Sequence, residues 1–245
     1  MSRYDSLVQR LLPEVEYHQN RYARELGEVL AAGSRWLDLG AGERLHRGWI
    51  GPGPAELRQR AAWVVGCDLE TRHMRRNLSL AAACVANGAA LPFADESFDL
   101  VTANMVVEHL PEPALVFKEV ARVLRKGGMF VFLTPNRGHP AVWLASVLLG
   151  QSVRSWLAVA VERRDQEAFP TFYRANTRAT LQRIADDVAL EVRTLETFSS
   201  WPLIRGFSPL TVLECFYIRA LARPGLAPFR SNLLGRLRRK GGKGP

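Results

Sequence analysis

Apolar positions along this 245-residue chain gather into short continuous runs, separated by longer stretches in which they recur every three or four residues. "RWLDLG" (35–40), "AWVVGCDLE" (62–70), "SFDLVTAN" (97–104) and "MFVFLTPN" (129–136) are the runs. Strands apolar on both faces belong in a sheet covered on both sides, so these predict buried parallel strands, with a smaller one near 83–86. Between them "PAELRQRA" reads as helix, and "RHMRRNL" as a short one. "EPALVFKEVARVLRKGG" places Leu115, Val116, Val120, Val123 and Leu124 on one face and is expected to stop at a glycine cap, Gly127 and Gly128. The first thirty residues read as helix broken near Pro13. Past residue 175, "NTRATLQRIADDV" and "SPLTVLECFYIRALAR" predict helices, "ALEVRTLETF" an alternating strand and "RSNLLGRLRR" a final antiparallel strand.

Alternating strands and helices with right-handed crossovers predict a doubly wound, mostly parallel, seven-stranded Rossmann-like α/β sheet with ligands at the strands' carboxyl ends. The length suits one domain over 1–245. Within it we expect an N-terminal helical cap (1–32), a ligand-binding core (33–136), an inserted helical lid (137–175), C-terminal helices and strands (176–238) and a basic tail (239–245).

Composition narrows the class. Hydrophobic residues at 47% and charged residues at 23% are those of a soluble globular protein. "MSRYDSLVQR" lacks the apolar stretch of a secretory signal, and "AVWLASVLLG" falls short of the ~20 apolar residues a membrane span needs. Cys67, Cys84 and Cys215 form no CxxC pair, which argues against a zinc site or disulfide framework and suits a cytoplasmic protein. The net charge of +9 implies a basic surface and leaves anionic lipid, nucleic acid or an acidic substrate as sharper readings. No nucleic-acid-binding module motif accompanies it, which argues against nucleic acid as partner.

The most informative stretch is "WLDLGAGERLHRG" (36–48). A dinucleotide fingerprint wants a third glycine three residues beyond Gly42, and Leu45 stands there instead. The acid ending the second strand, Asp68, also comes later than the nicotinamide pattern expects. Asp38, at a strand end, needs donors if buried and would be satisfied by a ligand's ammonium group, directly or through water. Gly40 and Gly42 admit close backbone approach, and Asp68 suits two adjacent ribose hydroxyls. Ammonium, ribose and no pyrophosphate describe S-adenosylmethionine.

"LDLGAG" (37–42), "VGCDLE" (65–70), "NGAALPFADESFDLV" (87–101), "NMVVEHL" (104–110) and "RVLRKGGMFVFLTPN" (122–136) occur in an order that resembles the class I S-adenosylmethionine-dependent methyltransferases, near their ubiquinone/menaquinone-type group. "FPTFYRANT" (169–177) is similar to a segment of a bacterial branch. The resemblance implies that Gly40 and Gly42 line the methionine portion, that Asp68 with Leu69 holds the ribose end, and that Asn87 and Gly88 meet the adenine. Asn87 replaces an aspartate common in relatives, and its carbonyl still accepts from the adenine amino group. Asn104 is implied near the methyl group, and Arg44 stands where relatives carry a small residue.

A sulfonium donor brings its own activation, so the protein has chiefly to align a nucleophile and exclude water. A hydroxyl acceptor benefits from a base, and His109 is the candidate. Glu108, Tyr173 and Arg174 are candidate substrate contacts. The Trp-, Leu- and Val-rich segment after residue 138 suggests a small or lipid-like acceptor and weak peripheral membrane contact. RNA or protein methylation is the alternative, though "NMVVEH" replaces the NPPY-like tetrapeptide of many nucleic-acid amino methylases. A non-catalytic binder of the same fold is the third reading, and a nicotinamide oxidoreductase the fourth.

Overall fold

The computed structural model describes residues 3–70, 74–143, 170–202, 204 and 209–241. Two helices open the chain, α1 (Arg3–Leu11) and α2 (His18–Val29), separated at Pro13 as expected. Strands β1 (Arg35–Leu39), β2 (Trp63–Asp68), β3 (Ala82–Val85), β4 (Phe98–Asn104) and β5 (Leu124–Pro135) follow, with α3 (Pro54–Arg60) after β1 and α4 (Pro113–Val123) after β4. The C-terminal part adds α5 (Arg178–Asp187), β6 (Leu190–Phe198), α6 (Pro209–Ala220) and β7 (Asn232–Arg239).

The seven strands form one sheet in the order β3-β2-β1-β4-β5-β7-β6. The first five are parallel, and β7 enters antiparallel between β5 and β6. The chain winds outward from β1 to β3 and then returns to β4, so the sheet changes direction between β1 and β4. Crevices open at such a switch point.

Both faces are covered because neighbouring strand residues point to opposite sides. Leu37, Val101, Phe130 and Phe132 pack beneath α4 and α5. Trp36, Leu100, Val131 and Leu133 pack against Tyr22 and Leu26 of α2 and Leu57 of α3. Phe117 meets the edges of Phe130 and Phe132 at 5.2 and 5.8 Å between centroids. Burial of each such ring contributes roughly 2–3 kcal/mol.

Two local expectations are corrected. The helix of 112–128 ends at Val123, because Leu124 pairs with Phe98 and opens β5. Gly127 (φ +80°) lies within that strand, alongside the register shift between Phe98 and Leu100, and caps no helix. Within "RHMRRNL" Arg72 and His73 lie outside the described residues, Met74 is helical, and a turn follows in which Asn77 N–H donates to Met74 O at 2.9 Å. The basic tail was drawn from residue 239, yet Arg239 belongs to β7 and Lys240 N–H donates to Ala189 O at 3.0 Å. Most of the expected lid, residues 144–169, lies outside the described residues. Among those described, no helix is long and apolar enough to cross a membrane. Cys67 and Cys84, distant in sequence, are register partners across β2 and β3 as free thiols, and burial pushes the Cys67 thiol up.

Candidate active site

At the end of β1 the backbone turns through Gly40 (φ +63°) and Gly42 (φ +44°). A Cβ on Gly40 would sit 2.4 Å from Val106 Cγ2, so the turn and the end of β4 approach as closely as they do only with glycine there. Gly40 N–H donates to Cys67 O at 2.7 Å, and Ala41 N–H to the same oxygen at 3.3 Å. Gly42 N–H donates to Asp68 Oδ2 at 3.1 Å. The turn's amides are thus committed to β2. A phosphate cradle needs such amides turned to the ligand, so a pyrophosphate finds no seat at Gly40, Ala41 or Gly42.

What remains at the strand ends is a cavity of about 590 Å³. Gly40, Gly42, Asp68, Leu69, Asn87 and Gly88 line one flank. Asp68 accepts one amide on each oxygen, from Gly42 and from Glu70 (3.3 Å), which leaves lone pairs on both for a paired donor such as a diol. Asn87 Oδ1 accepts Ala89 N–H at 3.0 Å and keeps capacity for a further donor. A bulky nucleoside that brings its own charge and hydroxyl pair fits these groups; a dinucleotide's phosphates do not.

The second flank comes from the end of β4 and the 3₁₀ turn Val107–His109. Met105 holds φ +58° without being glycine, and its N–H donates to Leu133 O at 2.8 Å. Such strain costs on the order of 1–3 kcal/mol and gathers at functional sites. Asn104 lines the cavity, with its amide in reciprocal hydrogen bonds with Gln19 of α2. His109 also faces the cavity. Its Nδ1 lies 2.9 Å from Pro170 O, and because a carbonyl only accepts, Nδ1 carries the proton. Nε2 is then the basic nitrogen, with Glu108 Oε1 3.8 Å away.

Four expected site residues do not line it. Asp38 is 3% exposed and turned into the protein, where Thr102 Oγ1 donates to it at 2.5 Å and itself accepts from Trp36 Nε1 at 2.7 Å. Burial pushes its carboxyl up to about 7, against the Thr102 hydrogen bond, with the charge of Asp68 adding to the rise. It braces β1 against β4. Glu108 is equally buried: its Oε2 accepts Thr134 Oγ1 at 2.8 Å, and its main-chain oxygen accepts Phe172 and Tyr173 N–H. Tyr173, at φ +51°, belongs to that join. Arg174 reaches out to Pro111 O at 2.6 Å. These three fasten the returning chain to the sheet, a task no local pattern marks.

Sequence reasoning missed what the N-terminal cap supplies. Tyr17, His18 and Gln19 line the cavity, and so do Arg44 and Arg47 from the loop after β1. Only Arg44 carried a signal, through its bulk in a glycine turn.

Comparison with known proteins agrees with this geometry. The family described as a methyltransferase domain matches residues 37–132. A ubiquinone biosynthesis O-methyltransferase from Idiomarina loihiensis is 26% identical over 200 residues, which cover 78% of this chain and 76% of that protein. A demethylmenaquinone methyltransferase from Mycolicibacterium paratuberculosis is 32% identical over 165 residues, covering 56% of this chain and 69% of that one. Geranyl diphosphate C-methyltransferase from Streptomyces coelicolor A3(2), solved with S-adenosyl-L-homocysteine, shares the fold at TM-score 0.58 and 17% identity, over 98% of this chain and 86% of that one. A doubly wound sheet, a glycine turn whose amides are spent on β2 and these relatives converge: the chain belongs to the class I S-adenosylmethionine-dependent methyltransferases, in their ubiquinone/menaquinone-type group.

Proposed function

We propose that this methyltransferase acts on a small, lipophilic acceptor, and that the cavity at the ends of β1, β2 and β4 holds both substrates. The observation behind this is the make-up of the second flank, where Met105, Val106, Leu110, Pro111 and Val116 present an apolar wall with His109 set into it. Such a wall favours an apolar acceptor body over a polar backbone. The relatives named for quinone methylation support the same class.

On this reading Gly40 and Gly42 flank the methionine portion, Asp68 accepts from the ribose hydroxyls, Leu69 and Gly88 pack beside the nucleoside, and Asn87 accepts from the adenine amino group. Asn104 stands near the reacting methyl. The cofactor supplies an electrophilic methyl on a positively charged sulfur, and the protein's own work is alignment and exclusion of water. His109, its Nδ1 proton held on Pro170 O, takes the acceptor's hydroxyl proton at Nε2. A peripheral lipid contact is supported by α6, where Leu210, Leu213 and Phe216 are exposed and Arg219 lies in the last turn.

The deciding experiment supplies labelled donor to separated lipid, small-molecule, RNA and protein fractions. Label in the lipid or small-molecule fraction is the expected result, with transfer at least ten-fold slower in His109→Ala. Label confined to RNA or protein overturns the substrate class, and wild-type turnover in His109→Ala removes the base.

A further inference from the structure

The loop after β1 has a second feature that cofactor binding does not use. In "RLHR", Leu45 and His46 are buried at 1% and 2% exposure, so Arg44 and Arg47 on either side are turned outward, and both line the cavity. The loop's backbone is pinned. Arg47 N–H donates to Gln19 Oε1 at 3.2 Å, Gly48 N–H to His46 Nδ1 at 3.1 Å, and Trp49 and Ile50 N–H both to Asn20 Oδ1, at 2.8 and 3.2 Å. A Cβ on Gly48 would lie 2.7 Å from Gln19 O, so the loop lies hard against α2. Trp49 stacks on Tyr17 at 4.6 Å and 21°, and Trp201 meets Trp49 edge-on at 5.4 Å.

Among the described residues neither guanidinium has a hydrogen-bonding or ionic partner. The cavity's carboxylates are engaged elsewhere or belong to another wall: Glu43 pairs with Arg76 at 3.2 Å, Asp68 holds two amides, and Glu112 stands with Leu110, Pro111 and Val116 on the second flank. His18 adds a third group able to carry positive charge, and Tyr17 an aromatic face. Two like-charged guanidinium groups on a pinned backbone repel one another, and an oxyanion shared by them relieves that cost while gaining charge-assisted hydrogen bonds. From this we infer that Arg44 and Arg47 form an oxyanion subsite for the methyl acceptor, which therefore carries a carboxylate or phosphate beside the apolar or aromatic body that meets Tyr17, Met105 and Val106. The inference rests on the substrate reading above and narrows it from lipophilic to amphiphilic and anionic. A second source of the same chemistry is the cofactor's own carboxylate, and the test separates the two.

The full chain is first saturated with S-adenosylhomocysteine, whose carboxylate then fills whatever place it has. It is next titrated calorimetrically with 4-hydroxybenzoate and, separately, with neutral 4-hydroxybenzamide. We expect the anion to bind at least ten-fold tighter, the preference to vanish in Arg44→Gln/Arg47→Gln, and part of it to return in Arg44→Lys/Arg47→Lys. Affinity for S-adenosylhomocysteine stays within two-fold throughout. Equal affinity for the two probes, or no binding of either at millimolar concentration, overturns the subsite. A preference that survives in the glutamine variant while S-adenosylhomocysteine affinity collapses assigns the arginines to the cofactor and equally overturns it. If S-adenosylhomocysteine fails to bind the wild type, the methyl-transfer reading of the cavity fails first, which is a distinguishable outcome.

Discussion

The side-chain amides of Gln19 and Asn104, 85 residues apart in sequence, exchange two hydrogen bonds of 3.1 and 2.8 Å across the mouth of the cavity. Gln19 Oε1 also accepts Arg47 N–H, and Asn104 Nδ2 also donates to Leu45 O. One glutamine thus ties the N-terminal helix, the loop after β1 and the tip of β4 together. Removing it leaves an amide and a main-chain N–H short of partners, at about 1–3 kcal/mol. Gln19→Ala should weaken S-adenosylhomocysteine binding about ten-fold by calorimetry. Unchanged affinity would mean that the pair is a surface coincidence.

Gly40 faces two separate obstacles to substitution. A Cβ in the left-handed region costs about 1–2 kcal/mol, and the one at Gly40 would also collide with Val106. Gly40→Ala should lower the unfolding midpoint and abolish cofactor binding. Adding Val106→Ala should recover part of the stability, since it relieves the collision and leaves the backbone strain. Full recovery in the double variant contradicts the strain, and none contradicts the contact.

The Asp38 carboxyl titrates near 7 in the folded protein against 3.8 for an ordinary aspartate. The folded state therefore holds its proton more tightly than the unfolded state. Its contribution to stability is fully present below about pH 4 and is lost as pH rises to about 7, at roughly 1.4 kcal/mol per unit. Asp38→Asn does not titrate, so its stability relative to wild type should rise between pH 5 and pH 7. Urea unfolding at the two values measures this, and a constant difference refutes it.

Glu108 divides a structural role from a chemical one. Glu108→Gln keeps an acceptor for Thr134 and should retain turnover within a few-fold. Glu108→Ala leaves the buried Thr134 hydroxyl without its acceptor and should cost about 1–3 kcal/mol of stability. Should Glu108→Gln lose activity at unchanged stability, the carboxylate acts on the chemistry itself.

Sedimentation with anionic vesicles tests the α6 face. We expect weak binding at low salt that falls in Leu213→Ser/Phe216→Ser, because both side chains are exposed on the helix. Equal recovery of variant and wild type in the pellet excludes that face.

Strand and helix periodicity made most of the architecture legible: every strand expected from the apolar runs is present, including antiparallel β7. The end of α4 was misjudged because the Gly127–Gly128 pair is a convincing cap locally, and only pairing with Phe98 shows that β5 has already begun. Asp68, Asn87 and the two glycines were legible since a strand end and a turn are set by neighbours in sequence. Gln19 and Arg47 were not, because each acts through a partner brought near by folding.

By itself, then, the sequence determined the strands of the sheet and the residues their ends present, for those follow from local periodicity and chain direction. The tertiary structure alone decided which carboxylates face the cavity and which are buried. Asp38 and Glu108 look as reactive on paper as Asp68, yet Thr102 and Thr134, far from them along the chain, turn the first two inward. A carboxylate's role depends on whether donors or solvent surround it, and those surroundings form only when distant segments pack.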